Sequence, residues 1–127
     1  MPWSYTIDPD RNVVFTTGSG VLTEEELLTG VTSLYADPRF HPDLRGLCDY
    51  RGVGELKLSS EMMERLAAKR RYSEKTRTAF LVTGPLGFGL GRVYQSSVDN
   101  GQVKITFDRA EAVAWLNEGF PTEKHIQ

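Results

Sequence analysis

Residues 77–94 read RTAFLVTGPLGFGLGRVY. The apolar run Ala79-Phe80-Leu81-Val82 stops at Thr83-Gly84-Pro85. Glycines follow at alternate positions, Gly87, Gly89 and Gly91, and then Arg92. An amphipathic pattern resumes through Leu90, Val93 and Tyr94. The stretch reads as a buried strand from Arg77 to Val82, a tight glycine loop, and a helix from about Phe88 to Val98. Open α/β sheets hold their ligands at such junctions, outside the carboxyl ends of the strands. The fold then depends on whether further β-α units flank this one.

They do on both sides. Towards the amino terminus, Trp3, Tyr5 and Ile7 alternate with Ser4 and Thr6, the period of a half-buried strand. A turn at Asp8 to Asn12 leads into Val13-Val14-Phe15-Thr16-Thr17, rich in β-branched residues, and the short link predicts an antiparallel hairpin ended by Gly18-Ser19-Gly20. Thr23 with Glu26 is a capping box opening a helix, whose inward stripe is Leu27, Leu28, Val31, Leu34 and Tyr35. Asp37-Pro38 closes it, and a loop follows from Arg39 to Asp43. A third strand spans Leu44 to Tyr50. Ser59-Ser60 opens a second helix through Met62, Met63, Leu66 and Ala67, with Lys69, Arg70 and Arg71 on its solvated later part.

Towards the carboxyl terminus, Asp99-Asn100-Gly101 is a turn, and Gln102 to Phe107 is a fifth strand with Val103, Ile105 and Phe107 on one face. Asp108 caps the last helix, with Glu111 completing a second capping box; Ala112, Trp115 and Leu116 face inward. Gly119 and Pro121 stop that helix, and the tail Thr122 to Gln127 is expected to fray. The order is ββαβαβαβα: a mixed five-stranded sheet, an antiparallel hairpin followed by parallel strands, with four helices.

The totals are compatible with this. A chain of 127 residues is a single domain, here 1–127. The hydrophobic fraction is 39% and the charged fraction 25%, ordinary for a globular protein. A net charge of -2 and a pI near 5.7 give no electrostatic case for nucleic acid. Cys48 alone forms no internal disulfide. There is no Cys-His cluster, so no metal or cofactor is expected. Met1-Pro2-Trp3-Ser4-Tyr5 has neither a basic start nor a long apolar stretch, and no run approaches membrane-spanning length. A cytoplasmic location without membrane insertion is therefore expected. A homodimer is the default oligomer, with Trp3 and Tyr5 on the hairpin as a candidate contact.

The phrases Leu22 to Glu25, Asp37 to Phe40, Leu47 to Gly52 (LCDYRG), Phe88 to Gln95 (FGLGRVYQ) and Asp108 to Leu116 resemble a bacterial family of small STAS-like, CRAL-TRIO-like proteins of undefined function. The element order likewise resembles the STAS-like fold of anti-sigma-factor antagonists. In signalling members of that fold, a serine at the helix start after the third strand is phosphorylated and switches partner binding. The resemblance places that site in the loop Arg51 to Ser60. Here Asp49 is followed by Tyr50-Arg51 rather than by serine, so Ser59 and Ser60 are the candidate phosphosites. A cap of the second helix is the competing role for either serine.

The candidate ligand- or partner-binding residues are Asp49, Arg51, Gly84, Gly87, Phe88, Gly89 and Arg92. Gly87 to Arg92 offers backbone N–H groups and a guanidinium to an anion at a helix start. It is neither GxGxxG nor a P-loop, and close approach of helix to sheet is the simpler role for the glycines. Asp49 stands at a strand end beside Arg51, with Arg92 expected across the crevice. No nucleophile–base pair is visible. Three readings follow: a non-catalytic regulatory or interaction module; a binder of a lipid or other small apolar or anionic ligand, in a cleft of Met62, Met63, Leu86 and Phe88; and, last, an enzyme acting through Asp49 and Arg92.

Overall fold

The computed structural model describes residues 2–98 and 101–127. Its elements are β1 (Trp3–Asp8), β2 (Val13–Thr23), α1 (Glu24–Ala36), β3 (Arg45–Lys57), α2 (Ser60–Ala68), β4 (Thr78–Leu81), α3 (Gly84–Val98), β5 (Val103–Thr106) and α4 (Arg109–Asn117). The strands lie in the order β1-β2-β3-β4-β5. β1 and β2 are antiparallel and the remaining pairings are parallel. The expected element order and mixed sheet are those observed. The Asp99-Asn100 part of the expected turn lies outside the described residues.

Strand alternation sends two apolar sets to opposite faces. On one face Val14, Leu22 and Leu44 pack with Leu27 and Leu34 of α1, Met62 and Met63 of α2, and Leu90 and Tyr94 of α3. On the other, Val13, Leu47, Ala79 and Leu81 pack with Ala112 and Leu116 of α4 and with Ile126. Three helices therefore cover one face, and a single helix with the chain's end covers the other.

Four boundaries differ from the sequence reading. β2 does not stop at Gly18-Ser19-Gly20. It runs on to Thr23 with register shifts at Thr17/Ser19 and Gly20/Val21, paired with an equally prolonged β3. Gly18 is needed inside the strand because a Cβ there would lie 2.5 Å from Cδ1 of Tyr50. A glycine within a strand marks a close approach or bulge as readily as an end.

The expected loop after Tyr50 is strand as far as Lys57. The glycine loop is helix: α3 begins at Gly84, whose φ of +73° suits glycine, and Pro85 occupies the first turn. Proline is pre-organised for that place, where N–H groups lack intrahelical acceptors.

The carboxyl tail does not fray. It forms a short 3₁₀ turn at Thr122–Lys124, and Ile126 is buried. Asn117 holds it from both sides, donating Nδ2–H to the Ile126 carbonyl at 3.0 Å and accepting the Ile126 N–H at 2.8 Å.

Trp3 is buried rather than free for a dimer contact, and it lies against α1 at Gly30, where a Cβ would sit 2.2 Å from Cε3 of the indole. The Tyr5 hydroxyl is likewise engaged, donating to Asp37 at 2.8 Å.

Candidate functional site

Thr23 and Ser59 cap α1 and α2 as expected, and Asp108 caps α4 through the Ala110 N–H, while Glu111 pairs with Lys104 instead of completing a capping box. Thr23 Oγ1 accepts the Glu26 N–H at 3.2 Å and Ser59 Oγ accepts the Met62 N–H at 3.1 Å. Ser59 carries a second obligation. Its hydroxyl and its N–H both donate to Oε2 of Glu24, at 2.7 and 2.9 Å. These bonds hold the Glu24 carboxyl below its ordinary pKa, the Ser59 hydroxyl contributing most. Ser60, the first helical residue, is exposed.

Asp49 is level with Leu81, the last residue of β4. Arg51 lies two residues on and so on the same face, donating N–H, Nε–H and Nη2–H to the Asp49 carboxylate at 3.0, 3.0 and 2.9 Å. That guanidinium keeps Asp49 below the usual carboxylate range. The pair is closed on itself, like the Arg39 clamp on Asp37.

Arg92 does not join it. Asp49, two residues after Leu47, shares its face on the α4 side, whereas Arg92 rides on α3 across the sheet and stands 5.7 Å from the Phe88 ring centre. Phe88 in turn stacks on Phe107 at 5.3 Å. The crevice cluster expected from sequence is thus split by the sheet.

Two of the α3 glycines, Gly87 and Gly91, sit in close packing. A Cβ on Gly91 would meet the Ile105 side chain at 3.0 Å and one on Gly87 would meet Val82 at 3.3 Å, while Gly89 faces open space.

A concave feature lies under α1, α2 and α3. A cavity of about 110 Å³ is bounded by Leu22, Leu27, Val31 and Leu34 on the α1 side. Leu56, Met63 and Leu90 close it further, and Thr16, Cys48, Thr78 and Phe80 form its sheet floor. Of the cleft expected from sequence, Met63 lines it but Met62, Leu86 and Phe88 do not; Gly87 is the predicted binding residue that does. The walls include aromatic neighbours: Phe80 stacks on Tyr50 at 6.1 Å and tilts against Tyr94 at 5.2 Å. Among the described residues, no Asp, Glu, His, Lys or Arg lines the space.

Its polar groups are hydroxyls and a thiol. Trp3 Nε1–H donates to the Tyr50 hydroxyl at 3.0 Å. Thr16 Oγ1 is buried with no hydrogen-bond partner. It stands beside the Cys48 thiol and the Tyr50 hydroxyl, and draws both down against the upward push of burial. Burial pushes the Cys48 thiol up to about 11 and raises the Tyr50 and Tyr94 phenols, so all three stay protonated at neutral pH.

Beside the cavity, on the same face of the sheet, sits Arg70, although the charge run Lys69-Arg70-Arg71 reads as solvated. Its Nη1 donates to the Tyr94 hydroxyl at 2.9 Å and its Nη2 to Thr78 Oγ1 at 3.0 Å. It also lies 4.9 Å from the Tyr72 ring centre. Nothing in a solvated-looking basic run signals that one member turns inward.

Among the described residues, no group of three potential metal ligands is present and no helix is long and apolar enough to cross a membrane. No family model matches the chain, and no curated protein matches it. The chain is similar in structure to an uncharacterized protein of the DUF3478 family from Shewanella loihica PV-4, described as having a SpoIIAA-like fold. The TM-score is 0.60 at 21% sequence identity, over 90% of this chain and 93% of that one. Together with the five-stranded mixed sheet and its helices, this gives the chain a SpoIIAA-like, that is STAS-like, α/β fold.

Proposed function

We propose that the protein is a non-catalytic regulatory module of the STAS-like type, whose state is set by a small, mainly apolar molecule held between the sheet and helices α1, α2 and α3. The cavity of about 110 Å³ supports this reading above all else. Native interiors hold few voids larger than a water molecule. An apolar cavity of roughly 150 Å³ is known to stay dry and to take up benzene. The space here is of that order and is walled by three helices, which an occupant would brace against the sheet.

Catalysis has less to stand on. Asp49 and Arg51 are spent on one another, and Arg92 is on the opposite face. A phosphoserine switch at Ser59 also has less support, because a phosphate there would displace the cap and confront Glu24. Ser60 is the serine a kinase would reach.

Benzene is the simplest probe. Saturating benzene should raise the thermal midpoint and slow amide hydrogen exchange in α1 and α2. Native mass spectrometry of freshly purified protein should show a retained small molecule that disappears on denaturation. A bare mass together with unchanged midpoint and exchange would remove the reading.

A further inference from the structure

The helices around the cavity do not close it equally. On the α3 side, Gly87, Leu90 and Tyr94 are buried. On the α1 and α2 side, the lining residues Val31, Tyr35 and Leu66 are only partly buried. Across the sheet, the second apolar set under α4 fills the space. The seam between α1 and α2 is therefore where the cavity comes nearest to solvent.

That seam is bridged differently along its length. At the helix starts, Glu24 accepts two bonds from Ser59, and its Oε1 stands 4.0 Å from Nη2 of Arg65. At the far end, Tyr35 meets Tyr72 edge-on, with ring centres 6.1 Å apart. Between these ties, among the described residues, no hydrogen bond or ion pair joins α1 to α2. What lies there is apolar. Leu28 of α1 and Met62 and Leu66 of α2 form a small hollow, and the exposed Arg65 and Lys69 beside them mark it as the solvent side of the seam. Leu66 lines this hollow and the cavity alike. One partly buried side chain thus stands between the two spaces.

Resting on the proposed ligand-binding role, we propose that Leu66 is the gate of the cavity: small molecules enter between α1 and α2, and the Leu66 side chain limits what passes and how fast. The ties at both ends keep the helices in place. Opening then needs a change of side-chain rotamer, which is fast, and not a separation of helices, which is slow. No covalent step is involved.

Cys48 lies on the cavity floor and reports entry. Methyl methanethiosulfonate is small and uncharged; its methylthio group joins the thiolate, the reactive form of cysteine, and methanesulfinate leaves. Labelling of folded wild type, Leu66→Val, Leu66→Ala and Leu90→Ala should be timed by mass spectrometry at several low urea concentrations. Leu90→Ala also removes a leucine from the lining, but on the buried α3 side, and should cost at least as much stability. The expected rates rise from wild type through Leu66→Val to Leu66→Ala, by roughly tenfold in all and with little dependence on urea, as for a local opening. Leu90→Ala should stay within about threefold of wild type.

The gate assignment falls if Leu90→Ala labels as fast as Leu66→Ala, or if the Leu66 variants label no faster than wild type. It falls also if their rates climb with urea as global unfolding does, or if wild type labels as fast as the denatured chain. Benzene should be titrated in parallel against the NMR signal of the Trp3 indole N–H, which bonds Tyr50 at the cavity wall. Benzene binding with unmoved Leu66 rates removes the gate and leaves the cavity reading standing. The expected Leu66 order without any benzene binding keeps the route to the floor and removes the ligand-binding reading.

Discussion

The Ser59 hydroxyl donates to Oε2 of Glu24 at 2.7 Å while accepting the Met62 N–H at 3.1 Å, so one side chain ties the start of α1 to the start of α2. Loss of a serine cap costs about 1 kcal/mol, and Ser59→Ala should lower the unfolding free energy by at least that amount in urea. Ser60→Ala or Ser60→Asp should stay within about 0.5 kcal/mol, as for exposed positions generally. Ser59→Asp keeps a capping oxygen but sets a second negative charge beside Glu24, and should raise the Glu24 pKa. The folded Glu24 pKa is lowered from its ordinary value of 4.5. Its contribution to stability is therefore present above that value and is lost as pH falls through the lower folded one. Carboxyl-detected NMR titration of Glu24 checks the sign. An unchanged Glu24 titration in Ser59→Ala would show that the serine does not hold the carboxylate.

The glycines of α3 separate a helix from an anion-binding loop by a stability measurement. Gly89 is helical, exposed and faces open space. Gly89→Ala should then raise stability by about 0.5–1 kcal/mol, the helix-propensity difference. Gly30→Ala should do the reverse. Its Cβ would land 2.2 Å from the Trp3 ring, which is itself buried. Overpacking of this kind costs roughly 1–3 kcal/mol. Thermal melts of the two variants should move in opposite directions; a loss of stability in Gly89→Ala would contradict the helical placement.

The sequence pattern carried the element order, the sheet and both core faces, because period two and period 3.6 report directly which residues are inward. The helix start at Gly84 was hidden because three glycines lower local helix propensity, while tertiary contacts of Gly87 with Val82 and Gly91 with Ile105 override it. The prolonged β2 and β3 were hidden for a related reason. Gly18 and Gly52 look like turn residues, yet Gly18 is where Tyr50 and Val53 press close and Gly52 lies 3.2 Å, by its would-be Cβ, from the Gly18 carbonyl. The candidate site was legible only in part. Asp49 was expected at the carboxyl end of its strand, but β3 runs on to Lys57, so Asp49 and Arg51 lie within it, Asp49 level with the last residue of β4. Nothing in one-dimensional spacing assigns them and Arg92 to opposite faces, or turns Arg70 inward beneath Tyr94.

Cys48 provides a probe of cavity opening. It is buried on the sheet floor and its thiol is pushed up to about 11 by desolvation, with Thr16 acting against the shift. The thiolate is the reactive form. At pH 7.5 the native protein should resist Ellman's reagent and react fully only in denaturant. Because the folded pKa is raised above the ordinary value of 9.0, the neutral thiol's contribution is intact below 9.0 and lost as pH rises towards about 11. Denaturant titrations of wild type and Cys48→Ala across that window should therefore converge as pH rises. Rapid labelling of the folded protein at pH 7.5 would mean that the floor of the cavity is open to solvent.

Arg45 should prove the structural centre of the α4 side. It is 1% exposed, and it donates to the carbonyl oxygens of Leu116, Arg11 and Lys124 and to Asn117 Oδ1, with the Phe120 ring 3.9 Å from its guanidinium carbon. These acceptors come from the β1–β2 turn, the end of α4 and the carboxyl tail, so one side chain joins three segments distant in sequence. Leaving buried acceptors unpaired costs about 1–3 kcal/mol, and Arg45→Met should destabilise by roughly 3 kcal/mol because more than one is stranded. Deleting residues 122–127 removes the Lys124 carbonyl and the buried Ile126 and should be similarly costly. Residues that share one network are not additive, so the double variant should lose clearly less than the two single losses combined. Strict additivity in urea unfolding would show that Arg45 and the tail act independently, the tail being held by its other contacts, among them Asn117 and the Arg11 donation to the His125 carbonyl.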